Sequence, residues 1–178
     1  MKKNFPGKLK NNKSGFSIAE ALIAVLILLM VSSVVAAGMP VAAKAYTQVV
    51  DSANAQLLLS TTVTALRDEL GEGVLEDGAV SGKTITYTSS TGGASSIEFG
   101  DASVNITAAN VNGGAARRLV SEKAATGMVF SFDPAETTPV AYNSATGVVT
   151  LKNIIVTRIG KTEPLATLSQ LDIKVIGK

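Results

Sequence analysis

Hydrophobic positions along the chain fall into three regimes. From Ala21 to Ala43 the residues are apolar or small and none is charged; from there to Leu70 apolar residues recur at three- and four-residue steps; beyond Gly73 they alternate with polar residues in short blocks. The first run is 23 residues long, and a spanning helix needs roughly 20 mostly apolar residues. It therefore predicts a membrane span over about residues 20–43.

The second regime predicts an amphipathic helix over residues 44–70. Its stripe comprises Tyr46, Val50, Ala53 and Leu57, then Leu59, Val63, Leu66 and Leu70, with Gln48, Asp51, Asn54 and Gln56 on the other faces. Gly71-Glu72-Gly73 supplies the stop. A continuous helix from Phe16 to Leu70 would extend about 80 Å at 1.5 Å per residue. Gly38 and Pro40 interrupt it; Pro40 lacks a backbone donor and crowds the carbonyl of Ala36, so a kink or local unwinding is expected there. Membrane helices also tolerate proline without functional purpose.

In the third regime turn signals recur at Asp77-Gly78, Gly92-Gly93, Asn112-Gly113-Gly114, Asn143 to Gly147 and Gly160 to Pro164. Between them the period of two predicts strands at 84–88, 96–99, 103–107, 128–133, 148–159 and 165–176. Ile85 and Tyr87 should share the buried face of the first, opposite Thr84, Thr86 and Thr88. In 148–159 the apolar set changes phase around Asn153, which predicts a bulge or burial on both faces. The last two strands should form the longest hairpin, with Leu171, Ile173 and Val175 inward. The fold class is thus α+β: a long N-terminal transmembrane helix followed by an antiparallel β head over residues 71–178.

Composition refines this picture. The mean hydropathy of +0.32 is high, but much of the excess lies before Lys44. Cysteine and histidine are absent, which removes disulfides, thiolate chemistry, imidazole bases and the two commonest zinc ligands. The formal charge of +2 is set by Lys2, Lys3, Lys8, Lys10 and Lys13; residues 16–178 keep 11 basic against 14 acidic side chains, a net charge of −3. A basic flank holds its side of a span in the cytoplasm. Residues 1–15 therefore read as a cytoplasmic leader, with the chain beyond the span outside.

One carboxylate, Glu20, stands at the mouth of the apolar run, and an unpaired charge within a bilayer costs several kcal/mol. It is preceded by Lys13-Ser14-Gly15 and Phe16-Ser17-Ile18-Ala19. This stretch resembles the prepilin signature of type IV pilins and pseudopilins; Lys13 takes the usual basic place, displaced from the glycine by Ser14. The resemblance covers the first quarter of the chain. It implies cleavage after Gly15 by a membrane aspartyl prepilin peptidase, N-methylation of Phe16, and Glu20 as the assembly residue that neutralises the terminal amine of a neighbouring subunit. It also implies that the helix stretches at Gly38 and Pro40 in a filament. The implied function is that of a structural subunit of a type IV pilus or of a type II secretion or competence pseudopilus. The implied partners are the peptidase, other pilin subunits, membrane lipid and, indirectly, an assembly platform with its ATPase. The implied location is the cytoplasmic membrane, then a surface filament.

A second reading has a conventional signal peptide. Ala43-Lys44-Ala45 fits the small-x-small pattern of signal peptidase I, and Val35-Ala36-Ala37 fits it less well. The product would then be a secreted or membrane-anchored β-domain binding protein, and Glu20 would merely end the basic region.

No stretch points to catalysis or to a cofactor. Gly78-Ala79-Val80-Ser81-Gly82-Lys83-Thr84 has three residues between its glycines where a phosphate-binding loop needs four, and it leads into a strand rather than a helix. A hairpin turn accounts for it. Asn105-Ile106-Thr107 matches a glycosylation acceptor but reads as strand. Arg117-Arg118 reads as solvated loop, and nucleic-acid binding is not expected of an acidic product. With neither His nor Cys, hydrolysis would need a carboxylate pair or a Ser–Lys dyad, and neither is signalled. The chain is not expected to be an enzyme.

Overall fold

The computed structural model describes residues 17–175 apart from 90, 92, 102 and 126. A single long helix, α1 (Ile18–Gly71), precedes the strands β1 (Val80–Ser81), β2 (Thr84–Ser89), β3 (Gly93–Phe99), β4 (Val104–Ala108) and β5 (Arg117–Arg118). A short helix α2 (Glu122–Ala125) and the strands β6 (Met128–Phe132), β7 (Val140–Asn143), β8 (Val148–Arg158) and β9 (Pro164–Lys174) complete the chain. The protein is α+β, a long apolar N-terminal helix followed by antiparallel sheets. It divides into two compact units, Met1–Tyr46 and Thr47–Lys178.

In the first unit residues 18–46 are helical and exposed throughout. Gly38 and Pro40 lie inside α1, and the backbone stays helical across both, so local unwinding does not occur there. The missing N–H of Pro40 leaves the Ala36 carbonyl without its usual helical donor.

The second unit holds the rest of α1 and two sheets. One sheet has the order β1-β2-β3-β4-β5; in the other, β8 pairs with β6, β7 and β9. Ala55, Leu58, Leu66 and Leu70 of the helix enter one apolar cluster with Ile85, Ile97 and Ile106 of the first sheet and Leu151, Ile154 and Val156 of the second. Phe99 meets Phe132 at a centroid distance of 5.2 Å and Phe130 at 6.5 Å, joining β3 to β6.

The helical stripe differs from its sequence expectation. Residues Ala55, Leu58, Thr62, Leu66 and Leu70 are buried, and Leu59 and Val63 are half-buried, whereas Tyr46, Val50, Ala53 and Leu57 are exposed. Leu57-Leu58-Leu59 offers three consecutive apolar positions, so hydrophobicity alone does not fix the phase. Packing places the small side chains of Ala55 and Thr62 inward, where a helix can approach a sheet closely.

The strands follow the alternation. Ile85 and Tyr87 are buried while Thr86 and Thr88 are exposed. β8 and β9 form the longest hairpin, 11 residues each, with Leu171, Ile173 and Val175 buried. β9 runs along one edge of β8, so β7 and β6 share the other in succession, pairing with residues 148–151 and 154–158. The changeover is Asn153, whose φ of 51° is left-handed. Lys152 donates its N–H to Pro139 O at 2.9 Å, and Asn153 O accepts from Asp133 N–H at 2.8 Å. Two consecutive residues thus address the same edge, which extended backbone does not allow. Burial shifts with it, from Val149 and Leu151 to Ile154 and Val156. Asparagine tolerates this conformation better than most residues, and its Nδ2 donates to Glu136 Oε2 at 2.7 Å. Glu136 also accepts from the Thr138 N–H; that bond first, then the one from Asn153, holds its carboxyl below the usual carboxylate range.

Sequence patterning did not anticipate β1, β5, β7 or α2. The two-stranded start of the first sheet is the hairpin read at Gly78–Thr84: Ser81 pairs with Thr84, leaving Gly82-Lys83 as the turn, with Gly82 at φ 59°. Arg117-Arg118, expected as loop, is the edge strand β5.

The end of α1 is fastened to the first sheet. A Cβ on Gly73 would stand 2.7 Å from Tyr87 Cδ2, so only glycine lets the chain turn this close to the ring. The Tyr87 hydroxyl donates to Glu69 Oε1 at 2.6 Å. Burial, and then this bond to a carboxylate, pushes the phenol well above its ordinary value. A raised folded-state pKa means that the native chain holds the proton more tightly than the unfolded chain. This part of the stability is therefore complete below pH ~10 and declines as pH rises further. Tyr87→Phe should flatten that alkaline decline and cost about 1–2 kcal/mol at neutral pH, measured by denaturant unfolding of the detergent-solubilised chain between pH 7 and 11.

Candidate functional site

The candidate site lies at the start of α1. Ser17 precedes the first helical residue and Glu20 is the third residue of the helix. The Ser17 N–H donates to Glu20 Oε2 at 3.0 Å, while Ser17 O accepts the N–H of Ala21 at 3.1 Å. This is the reach-back half of a capping box, in which a glutamate in the first turn satisfies a donor that the helix leaves unpaired. A carboxylate here also lies at the positive end of the helix dipole. Glu20 therefore has a partner within its own chain. The signal was available: Ser17-Ile18-Ala19-Glu20 is the S-x-x-E pattern immediately before an apolar run.

Around this cap the helix is apolar on every side. The best 18-residue window has a mean hydropathy of 2.7, and none of it is buried within the chain. Leu22, Ile23 and Leu28, which point in different directions around the helix, are 67%, 59% and 65% exposed. A helix that is hydrophobic all round requires an apolar surrounding, either lipid or other helices. Glu20 Oε2 is engaged by Ser17, leaving lone pairs on the other oxygen to accept from a cationic donor. Nothing in this arrangement activates a nucleophile. What it provides is an apolar cylinder with one anionic contact at its tip.

Gly15 and Phe16, the expected cleavage site, lie outside the described residues. The remaining candidates are dispersed over the head. Lys83, in the stretch compared with a phosphate loop, makes an ion pair with Asp101 at 3.2 Å and sits in a hairpin turn. Asn105 to Thr107 lie within β4.

The fold and this site define a class: a chain with one N-terminal helix long and apolar enough to cross a membrane, carrying an antiparallel β head. Comparison with protein-family models, with curated proteins and with solved structures finds no match.

Proposed function

We propose that the chain is a structural subunit of a type IV pilus or a related pseudopilus. It is made as a membrane-anchored precursor, cut after Gly15 and methylated at Phe16, and it polymerises through the first half of α1. The observation that carries this reading is the exposed apolar helix with one carboxylate in its first turn. The Glu20 carboxylate accepts from the Ser17 N–H, and an amine freed at Phe16 would belong to the residue next to Ser17 in sequence. That amine, or the one on a neighbouring copy, neutralises the acid as the helices leave lipid and pack on each other. Small residues such as Ala24, Ala36, Ala37 and Gly38 allow those helices to approach closely. Gly38 and Pro40 supply a point of extension when the filament is pulled. The leader is cytoplasmic and the head is outside. Nothing in the proposed activity requires a cofactor, so energy and direction come from a separate assembly platform and its ATPase.

The alternative, a β-domain binding protein with a conventional signal peptide, is favoured by one observation. The head unit begins at Thr47, so a cut after Ala45 would release it whole. Mass spectrometry of the mature N-terminus separates the two. An N-methylated Phe16 is expected, with processing blocked in Gly15→Asp; a start at Gly38 or Tyr46 would reject the pilin reading.

A further inference from the structure

The first sheet separates its charges by edge. The segment from Val74 to Ser81 runs along one edge of β2, with Val74 bridged to Thr88 and β1 paired to Thr84 and Ile85. It exposes Glu76 and Asp77, which form no ion pair among the described residues. The opposite edge is β5, Arg117-Arg118, both exposed. Arg118 lies 3.9 Å from Glu122 across solvent, an exposed pair of little energetic worth, and Arg117 has no ion-pair partner among the described residues. Between the two edges, Lys83 and Asp101 offset each other, and Glu98 on β3 is an exposed carboxylate with no ion pair among the described residues.

Shape accompanies the charge. Glu76 and Asp77 form a ridge that lines two grooves. One, of about 580 Å³, is floored by Thr86, Thr88, Ser96 and Thr107. The other, of about 440 Å³, lies against Tyr142 and the turn at Ser144–Gly147. Lys174 also lines the second groove; its ammonium is held by Thr146 O and keeps its charge, so the two acids of the ridge outnumber it there. On β5, Arg117 is opposite Ile106, on the core side of the sheet, and Arg118 is opposite Asn105, on the outer side. Adjacent residues of a strand project to opposite faces. The β5 edge is thus a two-pronged cation, and the far edge is an anionic ridge with a groove on each side.

We propose that the β5 edge of one copy grips the Glu76–Asp77 ridge of the next, one guanidinium entering each groove. The contact joins unlike surfaces, so it leaves a free edge at each end and propagates from copy to copy. It deepens the polymer proposed above and rests on that reading for bringing heads side by side.

The chain has no cysteine, which permits a clean test. Ser81, on β1, and Ala116, beside β5, are both exposed. They stand at opposite edges of a five-stranded sheet, about 19 Å apart at roughly 4.8 Å per strand, too far to join within one molecule. Mild oxidation of Ser81→Cys/Ala116→Cys in native membranes should give a ladder of dimers, trimers and larger species, while each single variant stays monomeric. Adding Arg117→Glu/Arg118→Glu should reduce the ladder about tenfold, and adding Glu76→Arg/Asp77→Arg to that should restore it. Absence of a ladder, indifference to charge reversal, or failure of the fourfold swap to restore it overturns the grip. Dimers from a single variant also overturn it, because they denote a two-fold contact. Filaments without a ladder leave the polymer reading standing and remove this contact; a ladder without filaments does the reverse.

Discussion

Glu20→Ala is expected to leave leader removal intact and to lower incorporation into filaments at least about tenfold. A tenfold loss corresponds to about 1.4 kcal/mol, and an unneutralised cationic amine within packed apolar helices costs several times that. Two losses are combined in the alanine variant, since Glu20 caps Ser17 and also carries the charge. Glu20→Gln separates them. Its amide oxygen can still accept the Ser17 N–H, so the cap survives, while the charge is gone. Loss of assembly in both variants assigns the role to charge. Normal assembly of Glu20→Gln with failure of Glu20→Ala assigns it to the cap, worth about 1 kcal/mol at a helix start. Normal filaments from both would defeat the assembly role of this residue. The readouts are the mature N-terminus by mass spectrometry and the amount of subunit in sheared surface filaments.

The second large effect concerns the head. Leu66→Ala should destabilise the second unit by about 3 kcal/mol, while Leu57→Ala should change its stability by less than about 0.5 kcal/mol. Both positions are helical and alanine is the better helix former, so the difference isolates burial: Leu66 is 0% exposed and Leu57 is 59% exposed. A loss of 3 kcal/mol is a large part of the 5–15 kcal/mol typical of a domain. Denaturant unfolding of the detergent-solubilised chains, followed by tyrosine fluorescence, measures both. Equal losses would show that the helix presents a different face to the sheets than Ala55, Leu58, Thr62 and Leu66 indicate.

The difference between Leu57 and Leu66 also marks how far patterning reaches. The uncharged run before Ala43, the stop at Gly71 and the six longer strands are properties of local sequence. A 23-residue apolar stretch has one economical backbone solution in an apolar surrounding, and alternation such as Ile85-Thr86-Tyr87 has one in a half-buried sheet. The phase change at Asn153 was legible for the same reason, since Leu151 and Ile154 stand three apart where a strand requires two. Its cause was not legible: the left-handed turn at Asn153 exists because β7 and β6 take the same edge of β8 in succession. That pairing joins residues distant in sequence.

At the candidate site the apolar cylinder and its lone acid were evident from residue types. The hydrogen bond from Ser17 to Glu20 is encoded in the four-residue pattern Ser17-Ile18-Ala19-Glu20. By itself, the sequence determined where the helix lies, which residues it leaves without polar cover, and which strands alternate, because each depends on neighbours within a few positions. Only the tertiary structure decided that the head has two sheets rather than one, and that Leu58 rather than Leu57 turns inward. It alone also set Arg117-Arg118 at the edge opposite Glu76-Asp77. Each of these depends on which surfaces meet, and local periodicity carries no information about the partner across the core.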